Sequence, residues 1–180
     1  AIGLIGCGDI TKHHLEAYRA AGYTVGALCD IDTRRAEAHR NEFYPDADVY
    51  TDHHDLLERE DIAVVDIATH PAERVAIIED AIAARKHILS QKPFVLDLDV
   101  GLRLSQLATE AGVKLAVNQN LRWAPHVAYL RSAVAAGLLG ELTSVQMTVN
   151  FDHAWVVDTP FDRILDLVLY DYAIHWFDAL

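Results

Sequence analysis

Residues 1–14 read AIGLIGCGDITKHH: an apolar run of strand length, a turn carrying Gly6 and Gly8, and the start of a polar, amphipathic segment. Glycine marks any place where a chain turns tightly or another group comes close. The stretch alone therefore leaves two readings open, a loop that holds a phosphate and a plain structural bend. Its surroundings decide. Apolar runs at 1–5, 24–30, 48–50, 62–69, 86–91 and 114–120 alternate with helix-length stretches at 10–22, 33–43, 52–60, 71–85 and 95–112. The first, second and fourth runs are almost continuously hydrophobic, as strands are when helices cover both faces of a sheet. This alternation predicts an α/β fold with a doubly wound parallel sheet. Helix punctuation agrees: Pro71 suits a first turn, Gly22 and Gly112 follow helix ends, and Thr33 and Asp52 are candidate N-terminal caps.

After Asn118 the rhythm changes, which divides the chain into a nucleotide-type domain over 1–118 and the incomplete beginning of a second, α+β domain over 119–180. Residues 123–140 read as a helix with an early proline, 141–151 as a strand with one wetter face, 152–160 as a loop and 170–180 as a helix. Both ends look cut, since the sequence starts inside a strand and stops inside a helix.

Composition narrows the functional classes. With 180 residues and 52% hydrophobic content the chain can bury a core, so disorder is not expected. Lys+Arg 15 against Asp+Glu 27 gives a net charge of -12, which argues against a nucleic-acid-binding surface. Neither a membrane-length apolar run nor a signal peptide is present, and the protein reads as soluble and cytoplasmic. Cys7 and Cys29 form neither a disulfide framework nor a zinc ligand set. Adjacent histidines do not share a helical face, so the pairs His13/His14 and His53/His54 lack ligand spacing and no metal is expected. His70 reads as a loop residue.

The opening stretch acquires a chemical role from its position. Gly6 and Gly8 fall between the first strand and the first helix, where loop N–H groups and a helix N-terminus together hold a pyrophosphate. Asp30, at the end of the second strand, lies where a carboxylate accepts hydrogen bonds from an adenosine ribose. The third glycine position of the fingerprint is Thr11, which should hold the helix farther from the sheet and whose hydroxyl is available to the phosphates. Asp30 and Asp32 favour NAD over NADP by repelling a 2′-phosphate, while Arg34 and Arg35 keep NADP open. Two further features carry chemistry. Lys92, followed by Pro93, stands just past the fifth strand at the edge where such sheets bind ligands. Asp171 and His175, four apart, share a face if their segment is helical, a spacing suited to proton transfer or to a plain structural contact.

The ordered set GLIGCGDIT, Asp30, SQKP, NQNLRW and Asp-x-x-x-His resembles the Gfo/Idh/MocA oxidoreductases, named for glucose–fructose oxidoreductase and inositol dehydrogenase. The resemblance implies an N-terminal Rossmann domain, a C-terminal domain on a mostly antiparallel sheet that also forms a homo-oligomer (dimer or tetramer), and NAD- or NADP-dependent interconversion of alcohol and ketone on a sugar or polyol. It implies cofactor contacts from Gly6, Gly8, Asp9, Ile10, Thr11, Asp30, Gln91, Lys92, Asn120 and Arg122. In the same reading Lys92 lies near the reacting oxygen, Asp171 binds substrate and His175 is the general acid/base. Gln91 departs from the glutamate of the family's Glu-Lys-Pro motif and places cofactor affinity in question. A non-catalytic dinucleotide-binding regulator of the same fold is the alternative, and the joint presence of Lys92 and His175 argues for the enzyme.

Overall fold

The computed structural model describes residues 1–180, the side chain of Trp155 excepted. The chain divides into two compact units, Ala1–Asn118 and Gln119–Leu180.

In the first unit six parallel strands, β1 (Ile2–Ile5), β2 (Val25–Cys29), β3 (Asp48–Tyr50), β4 (Val64–Ile67), β5 (His87–Ser90) and β6 (Leu115–Val117), form one sheet in the order β3-β2-β1-β4-β5-β6. Five helices connect them: α1 (Asp9–Ala20), α2 (Thr33–Phe43), α3 (His53–Leu57), α4 (Pro71–Ala83) and α5 (Leu98–Ala111). Side chains alternate along each strand, so adjacent residues feed different apolar clusters. Leu4 and Leu28 pack with Leu15 of α1 and with Ala36 and Phe43 of α2, whereas Ile5, Ala27 and Cys29 pack with residues of α3, α4 and α5. Burial on both faces is what the near-continuous apolar runs encode. The order reverses between β1 and β4, and the loops leaving these two strands open a crevice at the carboxyl edge of the sheet.

Local chemistry sets the helix ends. Asp32, Asp52 and Asp97 cap α2, α3 and α5 by accepting backbone N–H bonds, and Gly112 ends α5 in the left-handed region at φ 69°. Thr33 is thus the first helical residue of α2 rather than its cap. His70 is not a plain loop residue: it caps α4 through Nδ1, which accepts from Ala72 N at 3.3 Å, and Pro71 takes the first helical position.

The second unit contains α6 (Pro125–Ala135), α7 (Ile174–Ala179) and several short turns, among them a 3-10 turn over Asn120–Trp123 and a π-helical turn over Leu169–Ala173. The strand expected over 141–151 is absent: residues 142–153 carry no regular structure, and 142–150 are exposed. Alternation marks a strand only where a neighbour supplies the ladder, and no paired strand occurs among the described residues of this unit.

Candidate functional site

Gly6 and Gly8 are glycines for different reasons. Gly6 adopts φ 93°, and a Cβ there would lie 2.9 Å from the backbone of Ala68 and Thr69, so the fold itself requires it. Gly8 has an ordinary φ of -78°, and nothing lies within 4 Å of a Cβ built on it. It precedes α1 and caps it without a side-chain hydrogen bond, so the helix N-terminus, with its donor groups and positive end, faces open space. Only what enters that space gains from the missing side chain.

Asp30 holds this loop in shape. Its Oδ2 accepts from Cys7 N at 2.7 Å and its Oδ1 from Asp32 N at 2.8 Å, which ties the end of β2 to the glycine turn. Each carboxylate oxygen keeps a second acceptor site. Alongside lies a cavity of about 310 Å³ lined by Cys7, Gly8, Asp9, Arg35, Ala38 and His39. Arg34 is turned away into a bidentate pair with Asp32, at 3.0 and 2.9 Å, so of the two arginines Arg35 is the one facing the cavity. Ile10 is exposed. Thr11 corrects the expectation of a phosphate contact from its hydroxyl: the residue is fully buried, and Oγ1 donates to Gly6 O at 2.7 Å, stapling the loop from inside. Both cysteines are free and buried, with Cys7 Sγ 3.6 Å from Cys29 O. Burial, followed by the charge of Asp30, pushes the Cys7 thiol well above its usual range and that of Cys29 up to about 12.

Lys92 is half-buried and joined to Pro93 by a cis peptide bond. Two buried arrangements hold the loop that presents it. Arg74, 1% exposed, reaches from α4 and donates to the carbonyls of Thr69, Gln91 and Pro93; burial pulls its pKa down to about 10. Gln91 is also inward. Its Oε1 accepts from Lys92 N at 2.7 Å, and its Nε2 lies 3.4 Å from His14 Nε2, so the side chain expected to contact the cofactor is committed to its own loop. Asn118 Nδ2 is 3.2 Å from the same ring nitrogen. With two amide donors on Nε2, His14 carries its proton on Nδ1 and donates to Asp66 Oδ2 at 2.6 Å, where Tyr18 also donates at 2.6 Å. Asp66 has no exposure at all.

Sequence reasoning missed Arg74, His39 and the Asp66–His14–Tyr18 network. One signal was available: an aspartate inside the apolar run of β4 must find partners, since burying a lone carboxylate is prohibitive.

In the second unit Asp171, 5% exposed, sits in the π-helical turn, with its Oδ2 3.9 Å from His153 Nε2. His175 follows in α7 and is half-buried. A π turn closes over five residues, so the four-residue rule used to place these two side chains together does not carry over unchanged. Asn120 is exposed. Arg122 is engaged by Asp178 in a bidentate pair, Nε to Oδ2 at 2.9 Å and Nη2 to Oδ1, which the sequence did not foretell. The adjacent pair His53/His54 also departs from expectation. As the first two residues of a short helix their rings lie 4.1 Å apart, centroid to centroid, instead of diverging.

Comparison with known proteins supports the fold. A D-apiose dehydrogenase from Paraburkholderia graminis is 35% identical over 138 residues, 76% of this chain and 36% of the relative. An inositol 2-dehydrogenase from Burkholderia multivorans is 31% identical over 116 residues, 63% of this chain and 34% of the relative. An oxidoreductase from Agrobacterium radiobacter, crystallised with NAD+, L-tartaric acid and magnesium, superposes with a TM-score of 0.74 at 28% identity, covering 78% of this chain and 41% of the other. The chain thus spans about a third of the length of these curated relatives. No helix among the described residues is long and apolar enough to cross a membrane. Residues 1–119 match the oxidoreductase family with an NAD-binding Rossmann fold, GFO_IDH_MocA, and to that family the chain belongs.

Proposed function

We propose that residues 1–118 are the dinucleotide-binding domain, and 119–180 the beginning of the substrate domain, of an enzyme that moves a hydride between NAD and a secondary alcohol of a sugar or polyol. The open space before α1 at Gly8 carries this reading, because the protein has no conformational or packing need for a glycine there. A pyrophosphate in that space would meet the α1 N-terminus, and the adenosine would occupy the cavity beside Asp30, Arg35 and His39. The similarity to dehydrogenases of apiose and inositol supports the substrate class.

The nicotinamide, when bound, supplies the hydride acceptor. The chain supplies the rest: His175 takes the hydroxyl proton, Lys92 stabilises the negative charge that develops on the oxygen, and Asp171 orients the substrate. Lys92 is suited to such a role by its half-buried setting and by the anchoring of both its neighbours, Gln91 and Pro93, to Arg74. NADP is the weaker cofactor in this reading because Asp30 faces the ribose, but Arg35 offers a 2′-phosphate its counter-charge.

The test is titration of the full-length protein with NADH and NADPH, followed by a panel of sugars and polyols. Binding with turnover on a panel member is expected, and binding without turnover on any substrate would point to the regulator instead. Lys92→Met should retain NADH affinity and lose about 10²-fold or more in turnover. Near-normal turnover by that variant, correctly folded, removes Lys92 from the chemistry.

A further inference from the structure

Away from the dinucleotide cavity, the sequence TDHHD (residues 51–55) begins α3 and brings the imidazoles of His53 and His54 together with the carboxylate of Asp52. Asp52, the helix cap, accepts from His54 N at 2.9 Å, and the same Oδ1 lies 2.7 Å from His54 Nδ1. In a neutral ring that contact requires the proton on Nδ1 and leaves the lone pair on Nε2. This lone pair faces Asp80 Oδ2 of α4 at 3.5 Å, and His53 Nε2 approaches the same oxygen at 2.9 Å. An imidazole lone pair opposed to a carboxylate calls for positive charge between them, supplied by a second ring proton or by a metal ion.

The spacing states what kind of cation fits. Ligands bound tetrahedrally at ~2.0–2.1 Å stand roughly 3.4 Å apart, and the distances of 2.9 and 3.5 Å bracket that value. Two imidazoles favour a zinc-class ion over calcium or magnesium, which take oxygen ligands. A carboxylate on the far nitrogen of a ligating histidine is the arrangement that fixes its tautomer and strengthens it as a donor, and Asp52 stands in that position toward His54. The rings tilt by only 34° to one another, so both present Nε2 toward α4. His54 and Asp52 are exposed while His53 and Asp80 are half-buried, which leaves the remaining coordination positions to water.

We propose that His53 Nε2, His54 Nε2 and Asp80 Oδ2 form a surface site for a divalent zinc-class ion, with Asp52 as the positioning residue of His54. The ion ties α3 to α4, outside the cofactor cavity, and the site is independent of the dinucleotide reading. It runs against the expectation of no metal drawn from adjacent histidines, whose premise of diverging side chains fails at a helix start.

Isothermal titration of the metal-free full chain with Zn²⁺ tests it. One equivalent is expected to bind, and its affinity should fall about tenfold or more in His54→Ala, Asp80→Asn and Asp52→Asn, the last through loss of the orienting carboxylate. His126→Ala, on α6, should bind as the wild type does. Thermal unfolding gives a second readout: Zn²⁺ should raise Tm in the wild type and not in His54→Ala, whose exposed position keeps the fold intact in chelator. The proposal falls if the wild type takes up no Zn²⁺, if His54→Ala and Asp80→Asn bind it undiminished, or if His126→Ala is the variant that loses it.

Discussion

At the scale of single residues, the two loop glycines separate a demand of the fold from a demand of the ligand. Gly6→Ala forces a side chain into positive φ against the backbone of Ala68 and Thr69, and should destabilise the protein by about 1–3 kcal/mol. Gly8→Ala meets no protein atom, so Tm should hardly change while NADH affinity drops. Denaturation and NADH titration of both variants check the pair, and equal losses of stability would erase the distinction. His70 gives a pH prediction. Burial, and after it the charge of Arg74, lower its pKa, so between the folded and unfolded values the unfolded chain binds more protons. Its contribution is complete above the ordinary histidine value and is lost as pH falls through the lowered folded one, where protonated Nδ1 no longer caps α4. Tm measured from neutral to acidic pH should therefore fall less in His70→Asn, which keeps a capping oxygen and does not titrate.

Among the elements, the β4, β5 and α4 termini depend on buried polar groups more than on apolar contact. Arg74→Met leaves the carbonyls of Thr69, Gln91 and Pro93 without their donor, and should cost about 1–3 kcal/mol for each buried acceptor left unsatisfied. Hydrogen exchange localised to residues 91–94 should quicken in the same variant. His14→Ala and Tyr18→Phe, both directed at Asp66, share an acceptor and should couple by about 0.5–3 kcal/mol in a double-mutant cycle. These elements also show where reading a sequence stops. β1, β2 and β4 were legible because continuous apolar runs encode burial on two faces. Pro71, Gly112 and Asp52 were legible because capping is local. The network around Asp66 was not, since its partners His14 and Tyr18, and the Gln91 and Asn118 amides that meet His14, are scattered over more than half the chain and come together only when the sheet has formed. Gln91 was expected at the cofactor from its motif, yet its amide turns inward to Lys92 N and His14. The alternation at 141–151 misled because an exposed segment can alternate without pairing.

For the molecule as a whole, unit Ala1–Asn118 contains every strand among the described residues and both apolar clusters. A chain ending at Asn118 should unfold cooperatively and still bind NADH, while giving no turnover because Asp171 and His175 are absent. Calorimetry and fluorescence titration decide this, and a fragment that fails to fold would show that the first unit needs the second. The family resemblance was legible at this scale from its ordered motifs, GLIGCGDIT, Asp30, SQKP, NQNLRW and Asp-x-x-x-His, and Gly6, Gly8, Asp30 and Lys92 follow the ends of β1, β2 and β5 on one edge of the sheet.

The position of β1 also bears on how the protein is made. β1 is the first in sequence of the six strands and lies inside the sheet between β2 and β4, yet Ile2 pairs with Val64, roughly 60 residues downstream. At a synthesis rate of ~5–20 residues per second, its second edge stays unpaired for roughly 3–12 s after the strand is made. During that interval the nascent chain presents an apolar strand with a bare ladder edge, the kind of surface that chaperones shield and that drives aggregation when they do not.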